Sequence, residues 1–242
     1  MLSNESGREL TTPEQQFARL LAADPGRPFV TYYDESSGER SELSAKSLAN
    51  WVAKTHHLLG DELGLGVGDT AVLALPAHWI SVPILLGCLT AGLALRDTGS
   101  GDVAFVAPET LGVADGTADI YAVAPAAAAV GFRDAPPAPA LDYVSAVRPQ
   151  EDKWPGVHMP AGPDDPCLPG ASRGEVARRA ASSGLPAGAR VLSTAPWVSA
   201  EDWLQSVLAP IAVGGSVVFV ANCTDEAVLE RRAGQERATV RL

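Results

Sequence analysis

Residue types that perform nucleophilic or metal chemistry are few in this sequence and are not spaced for it. The four histidines are His56, His57, His78 and His158. Nucleophilic catalysis pairs a serine or cysteine with a histidine base, and no Gly-x-Ser-x-Gly motif occurs. No histidine or cysteine pair has the short spacing that zinc sites use. The sequence therefore predicts no catalytic residue and no bound metal, and His78 is expected to cap or pack within a helix.

A second candidate for chemistry is the segment 163–176, which reads PDDPCLPGASRGEV. A phosphate cradle needs consecutive small residues, whose backbone amides converge on the oxygens, and a cation that offsets the charge. This segment offers Gly170, Ser172 and Arg173 but no lysine. The favoured interpretation is a turn and the N-cap of a helix at 175–183. Arg173 is then expected on the solvated side of that helix, with the helix's other two arginines.

Trp197 and Ser199 are candidate ligand-lining residues. They follow a strand predicted at 190–195, and ligands of open parallel sheets bind at the carboxyl ends of the strands. A competing interpretation gives the indoles structural roles, with Trp203 in the core and Trp197 over a helix end. The structural interpretation is favoured, and the pocket interpretation stays open.

Composition indicates a globular protein with 46% hydrophobic residues, 19% charged residues and a formal net charge of −11. A field of this sign repels polyanions, so nucleic acid and anionic lipid are not expected partners. The three cysteines are widely spaced, which predicts reduced thiols in the cytoplasm. The polar N-terminus lacks the apolar stretch of a secretion signal. Scarce lysine with abundant Ala, Gly and Pro is typical of a bacterial genome of high GC content.

One long segment, 70–95, contains no Asp, Glu, Lys or Arg. Its length alone permits a membrane span. Pro76 and Pro83 interrupt the segment, and its β-type beginning differs from the helical run that follows. A buried strand followed by a buried helix is therefore the favoured interpretation, and no membrane association is expected.

Strands alternate with helices along the chain, which predicts an α/β fold of mostly parallel sheets flanked by helices. Residues 68–92 and 188–215 look alike, because each runs glycine, strand, proline, apolar helix, glycine. We expect two similar βα lobes, 1–148 and 171–242, joined by a Pro-rich linker at 149–170. One compact domain overall is the alternative.

Two sequence blocks carry a resemblance to a known family. Ser41-Glu42-Leu43-Ser44 stands at a helix start, and Leu65–Leu75 reads LGVGDTAVLAL before an apolar helix that ends in Ala-Gly. This order resembles the N-terminal region of the adenylate-forming superfamily, which includes acyl-CoA synthetases, adenylation domains and luciferases. The resemblance extends, with less specific motifs, through residues 185–242.

The resemblance implies a Ser/Thr/Gly-rich phosphate loop closed by Pro-Lys-Gly, and this sequence departs from that pattern. Asp164-Asp165 stands where the family has an acidic approach to the loop, and Gly170, Ser172 and Arg173 follow as a candidate vestige of it. The family's adenine contacts and its catalytic lysine come from later motifs, which are not found before Leu242. Charge developing on the α-phosphate needs positioned cations, so no ATP–Mg²⁺ cofactor is expected for this chain alone.

The resulting prediction is an acyl-CoA synthetase-like protein that has lost adenylation and binds an acyl-type small molecule or a protein partner. The enzyme question leans towards no. One alternative is half of a split ligase that activates acyl or aryl acids with ATP–Mg²⁺, with a partner polypeptide supplying the missing lysine. Another is a structural, oligomeric interaction protein that uses the apolar segment 78–91 as its interface.

Overall fold

The structure is a computed structural model, and it describes residues 11–124, 130–154 and 159–242. Within these residues the strands form two five-stranded sheets and one short hairpin. The strands are β1 Pro28–Asp34, β2 Glu39–Ser44, β3 Thr70–Ala74, β4 Ala94–Arg96, β5 Val103–Val106, β6 Asp119–Ala122, β7 Leu141–Asp142, β8 Pro166–Leu168, β9 Ala171–Ser172, β10 Arg190–Ser193, β11 Ser216–Ala221 and β12 Val240–Arg241.

The helices lie between strands along much of the chain. They are α1 Pro13–Ala23, α2 Ala45–His57, α3 Ser81–Ala91, α4 Tyr143–Val147, α5 Arg173–Ala181, α6 Ala200–Trp203, α7 Ala209–Ala212 and α8 Glu226–Glu236. A π-helical turn at Leu204–Leu208 connects α6 to α7, and another at Leu58–Glu62 extends α2. A 3-10 helix covers Pro108–Ala114. The predicted α/β fold with mostly parallel sheets is confirmed.

The first sheet has the order β12-β10-β11-β1-β2, and all its neighbours are parallel except the β1–β2 hairpin. Strand β1 is buried at five consecutive residues, so it needs a neighbour on each edge. Strand β11, from the last third of the chain, supplies one of them. The predicted lobes 1–148 and 171–242 therefore do not separate the two sheets.

The second sheet has the order β4-β3-β5-β6-β7 and is parallel throughout. The two units with similar sequences fold alike, because β3 leads into α3 and β10 leads into the α6–α7 helix. Strand β8 lies inside the predicted linker 149–170 and pairs with β9. Side chains from both sheets and from the helices between them join in one large hydrophobic cluster.

Helix α3 is buried at every residue from Ser81 to Ala91. It packs against α2, and it also contacts α1 and β4. The hypothesis that segment 78–91 is an interaction surface is therefore wrong, because other elements of the chain already cover it. The favoured interpretation of the uncharged run, a buried strand and a buried helix, is confirmed by β3 and α3. No helix of the described residues is long and apolar enough to cross a membrane.

Helices α2 and α3 pack closely at Gly87. A Cβ added at Gly87 would lie 2.4 Å from the Cβ of Thr55 on α2. Thr55 cannot easily move away, because its hydroxyl bonds to the Trp51 carbonyl and lies 2.8 Å from the Tyr143 hydroxyl. The contact therefore requires glycine.

We expect Gly87→Ala to lower the free energy of unfolding by about 1–3 kcal/mol, because overpacking a rigid contact displaces its neighbours. Urea denaturation measures the change. Gly112→Ala is the control, since no atom lies within 4 Å of a Cβ added there. Equal stability of the two variants would contradict the close-packing account.

Candidate functional site

A cleft of about 530 Å³ opens where strands of both sheets end at their carboxyl termini. Ligands of open α/β sheets bind at such strand ends. We call it the main cleft. It is lined by residues 73–77 at the end of β3 and after it, 97–98 after β4, 193–198 at the end of β10 and after it, and 219–222 at the end of β11 and after it, together with Glu109, Thr110, Val113 and Trp203.

The apolar wall of the main cleft is held in place by Trp197. Its indole Nε1 donates to the Ser206 hydroxyl at 2.9 Å, and its ring meets Phe219 edge to face at 5.9 Å. Trp197 is half-buried and lines the cleft, whereas Trp203 is 2% exposed and also packs in the core. Both interpretations of the aromatic pair therefore hold in part.

Ser199 is not among the lining residues of the main cleft. It is the N-cap of α6, and its amide and hydroxyl both donate to the Asp202 carboxylate, at 2.7 and 3.1 Å. The Val198 amide donates to the same oxygen at 2.9 Å. The Ala200 amide donates instead to Asp97 at 3.1 Å. The amides of residues 198–200 are thus already bound to the protein's own carboxylates.

The main cleft carries negative charge only. Asp97 and Glu109 line it, and no Lys, Arg or His is found among its described lining residues. Sequence reasoning missed both carboxylates. A signal for Asp97 was present, since only Arg96 separates it from the apolar run at 93–95, part of which becomes strand β4.

The segment 163–176 forms a hairpin and a helix start. Pro169 and Gly170 join β8 to β9, and Gly170 takes the positive φ of +73° that the tight turn requires. The Ser172 hydroxyl accepts from the Glu175 amide at 3.3 Å, which confirms the predicted turn and N-cap. Gly170 also lines a second cavity of about 460 Å³, which shares Asp97 with the main cleft.

Arg173 is not solvated as predicted but fully buried. Its guanidinium donates to Glu14 Oε1 at 2.9 Å, to the Leu89 carbonyl at 2.9 Å and to the Leu93 carbonyl at 2.8 Å. The reason is its position at the first residue of α5, beside the C-terminus of α3, whose last carbonyls lack helical partners. The other two arginines of α5 are exposed as predicted.

Glu14 is the buried counter-ion of Arg173. Burial raises the pKa of the Glu14 carboxyl, and the charge of Arg173 opposes that rise. Both side chains are 0% exposed. Arg173 therefore neutralises a carboxylate of the protein and donates two further hydrogen bonds to the carbonyls of Leu89 in α3 and Leu93 just after it, while its Nε has no partner among the described residues.

His78 fills the capping and core role expected from the sequence. It is 2% exposed, and its Nδ1 accepts from the Ile80 amide at 3.2 Å. Its Nε2 lies 3.7 Å from Glu39 Oε1, beyond hydrogen-bond distance. His56 and His57 lie on α2, and His158 lies outside the described residues. In the described ranges no three His, Cys, Asp or Glu side chains are grouped to hold a metal ion.

Comparison with solved structures finds ligases whose fold is similar to that of this chain. The anthranilate CoA ligase AuaEII in complex with anthranoyl-AMP superposes with a TM-score of 0.74 at 13% identity, over 99% of this chain and 51% of the ligase. An acyl-CoA synthetase of Brucella canis superposes with a TM-score of 0.76 at 13% identity, over 96% of this chain and 47% of the synthetase. The acetoacetyl-CoA synthetase of Streptomyces lividans superposes with a TM-score of 0.74 at 16% identity, over 95% of this chain and 42% of the synthetase.

The fold is therefore that of the N-terminal region of adenylate-forming enzymes, and the chain spans about half the length of these ligases. A protein of Mycobacterium tuberculosis (strain ATCC 25618 / H37Rv), named TIGR03089 family protein, is 40% identical over 231 residues, covering 91% of this chain and 93% of the relative. The chain belongs to the TIGR03089 family. No family model matches it.

We expect Arg173→Leu to lower the free energy of unfolding by about 3–5 kcal/mol, because it leaves Glu14 buried without a counter-charge. Urea denaturation measures the loss. Arg178→Leu on the exposed side of α5 is the control and is expected within about 0.5 kcal/mol of wild type. The double variant Glu14→Leu/Arg173→Leu regains most of the stability. A single variant as stable as the control would show that the pair is not a structural requirement.

Acid is expected to destabilise the fold through His78. Burial lowers the pKa of His78 to about 4, against 6.5 for the model imidazole. The unfolded chain then binds more protons between these values, so the stability that His78 contributes is lost as pH falls from 6.5 towards 4, by roughly 3 kcal/mol. Denaturation midpoints of wild type and His78→Gln across this range measure the effect. Parallel pH profiles for the two proteins would refute it.

Proposed function

We propose that this protein is a non-adenylating member of its structural class, and that the main cleft binds the apolar part of an acyl-type small molecule. One observation carries the proposal. The described lining of the main cleft has carboxylates and no basic side chain, and the amides of residues 198–200 are already bound to the protein's own carboxylates.

Three features of the main cleft support a small-molecule ligand. Its volume lies in the range of ordinary ligand sites, which are mostly apolar with a few placed polar groups. Trp197, Trp203 and Phe219 provide apolar surface. Its position at the carboxyl ends of β3, β10 and β11 is the usual ligand position in parallel sheets.

The residues present do not fit ATP–Mg²⁺. The hairpin turn at Pro169 and Gly170 has two residues, where a phosphate cradle needs a longer run of small residues. Arg173 is buried in its ion pair, and the described lining of the main cleft has carboxylates without a basic side chain. Phosphate oxygens would meet Asp97 and Glu109 with no basic side chain of the described lining to offset the repulsion. We therefore propose no adenylation step for this chain alone.

A second candidate function is one half of a split ligase. The structural match covers 95–99% of this chain but only 42–51% of three ligases, and this difference motivates the candidate. A partner polypeptide would then supply the basic groups that adenylation needs. Under either function, a cytoplasmic location and the absence of nucleic-acid partners stay predictions from composition and charge.

The proposed function is tested by isothermal titration of the purified protein with two probes. ATP–Mg²⁺ is expected to give no detectable heat. 3-Phenylpropanamide, a neutral acyl compound, is expected to bind. Trp197→Ala should weaken amide binding roughly tenfold, because it removes a large part of the apolar wall.

Val130→Ala is the control for that variant, since Val130 is 56% exposed and does not line the cleft. Micromolar binding of ATP–Mg²⁺ would overturn the non-adenylating proposal and favour the split ligase. Absence of amide binding at millimolar concentration would overturn the small-molecule proposal.

A further inference from the structure

We infer that the main cleft selects a ligand whose apolar body carries a protonated amine, and that it disfavours carboxylates and phosphates. This inference rests on the proposed function and names the chemical class of its ligand. It follows from the charges of the lining and from the way in which the polar groups there are already used.

The two charged groups of the described lining are both carboxylates, and both have capacity to accept further hydrogen bonds. Asp97 Oδ2 accepts from the Ala200 amide, and its Oδ1 is 3.5 Å from the Thr98 hydroxyl. A carboxylate has about four acceptor positions, so Asp97 retains some. Glu109 is exposed and makes no hydrogen bond or ion pair with the residues that the structure describes.

Three side-chain donors of the lining are, by contrast, already engaged. The Thr110 hydroxyl donates to backbone carbonyls of Ala74 and Ala107. The Asn222 amide nitrogen donates to Asp34 at 2.8 Å. The Trp197 indole donates to Ser206 at 2.9 Å. An anionic ligand could use these three donors only by displacing their bonds, whereas an ammonium group brings its own three donors.

The backbone donors at the mouth of the cleft follow the same pattern. The amides of Val198 and Ser199 bind Asp202, and the amide of Ala200 binds Asp97. A helix start with free amides attracts anions. Here two carboxylates of the protein bind these three amides, so an incoming anion would have to compete with them.

Aromatic side chains add a second attraction for a cation. Trp197 is half-buried and lines the cleft, and indole is the side chain that interacts best with a positive charge. Trp197 is fixed by its hydrogen bond to Ser206 and its contact with Phe219. An amine with an apolar body would satisfy the carboxylates and the aromatic wall together.

The test uses three probes with the same body and different head charges. They are 3-phenylpropylamine, 3-phenylpropanamide and 3-phenylpropanoate, titrated separately into the full-length protein at pH 7 and low salt. We expect the amine to bind roughly tenfold more tightly than the neutral amide and the carboxylate to bind most weakly. Added salt is expected to weaken the amine more than the amide.

The variant Glu109→Gln is expected to reduce the preference for the amine over the amide several-fold, measured as the ratio of their two dissociation constants. Glu109 is exposed and makes no bond within the described chain, so the variant is not expected to disturb folding. Glu151→Gln removes the same charge at an exposed site away from the cleft and is expected to leave the preference unchanged.

The outcomes separate the inference from the proposed function. Amide binding without a preference for the amine, or tighter binding of the carboxylate, would overturn the inference and leave the proposed function in place. Equal loss of preference in Glu109→Gln and Glu151→Gln would also overturn it, because the effect would then be one of net charge. Failure of all three probes to bind at millimolar concentration would overturn both.

Discussion

The buried ion pair between Arg173 and Glu14 is the interaction on which the arrangement of the helices depends. It joins the first turn of α1 to the start of α5, and the same guanidinium closes the C-terminus of α3 through the carbonyls of Leu89 and Leu93. Removing two charges from water is costly unless each is paired and hydrogen-bonded. The pair therefore ties these three helices together in the interior of the protein. It also keeps Arg173, the first residue of α5, away from the surface, where its charge could meet a phosphate.

Carboxylates of the protein also bind backbone amides beside the main cleft. Parallel strands from two sheets end there, and that geometry usually presents free amides and a helix start to a ligand. In this protein Asp97 and Asp202 bind those amides, and Glu109 adds a further negative charge to the lining. The fold of the adenylate-forming N-terminal region is retained, and we propose that the electrostatics around the cleft favour a neutral or cationic ligand over a nucleotide.

Local signals made most of the fold predictable from the sequence. The capping box of Thr12 and Gln15 marks the start of α1, and strand–helix alternation predicts parallel sheets. The pairing of β1 with β11 could not be predicted, because it depends on contacts across almost the whole chain. The burial of Arg173 could not be predicted either, since its partners lie on distant helices. Asp97 was missed because β4, the strand that positions it, has only three residues.

The amides of residues 198–200 are engaged by carboxylates, and we therefore expect them not to bind phosphate. Amide proton and nitrogen chemical shifts of Val198, Ser199 and Ala200, followed by NMR while ATP–Mg²⁺ is added, test this expectation. These three resonances are expected not to move up to millimolar nucleotide. Saturable shifts confined to these amides and to the residues around Gly170 would contradict it.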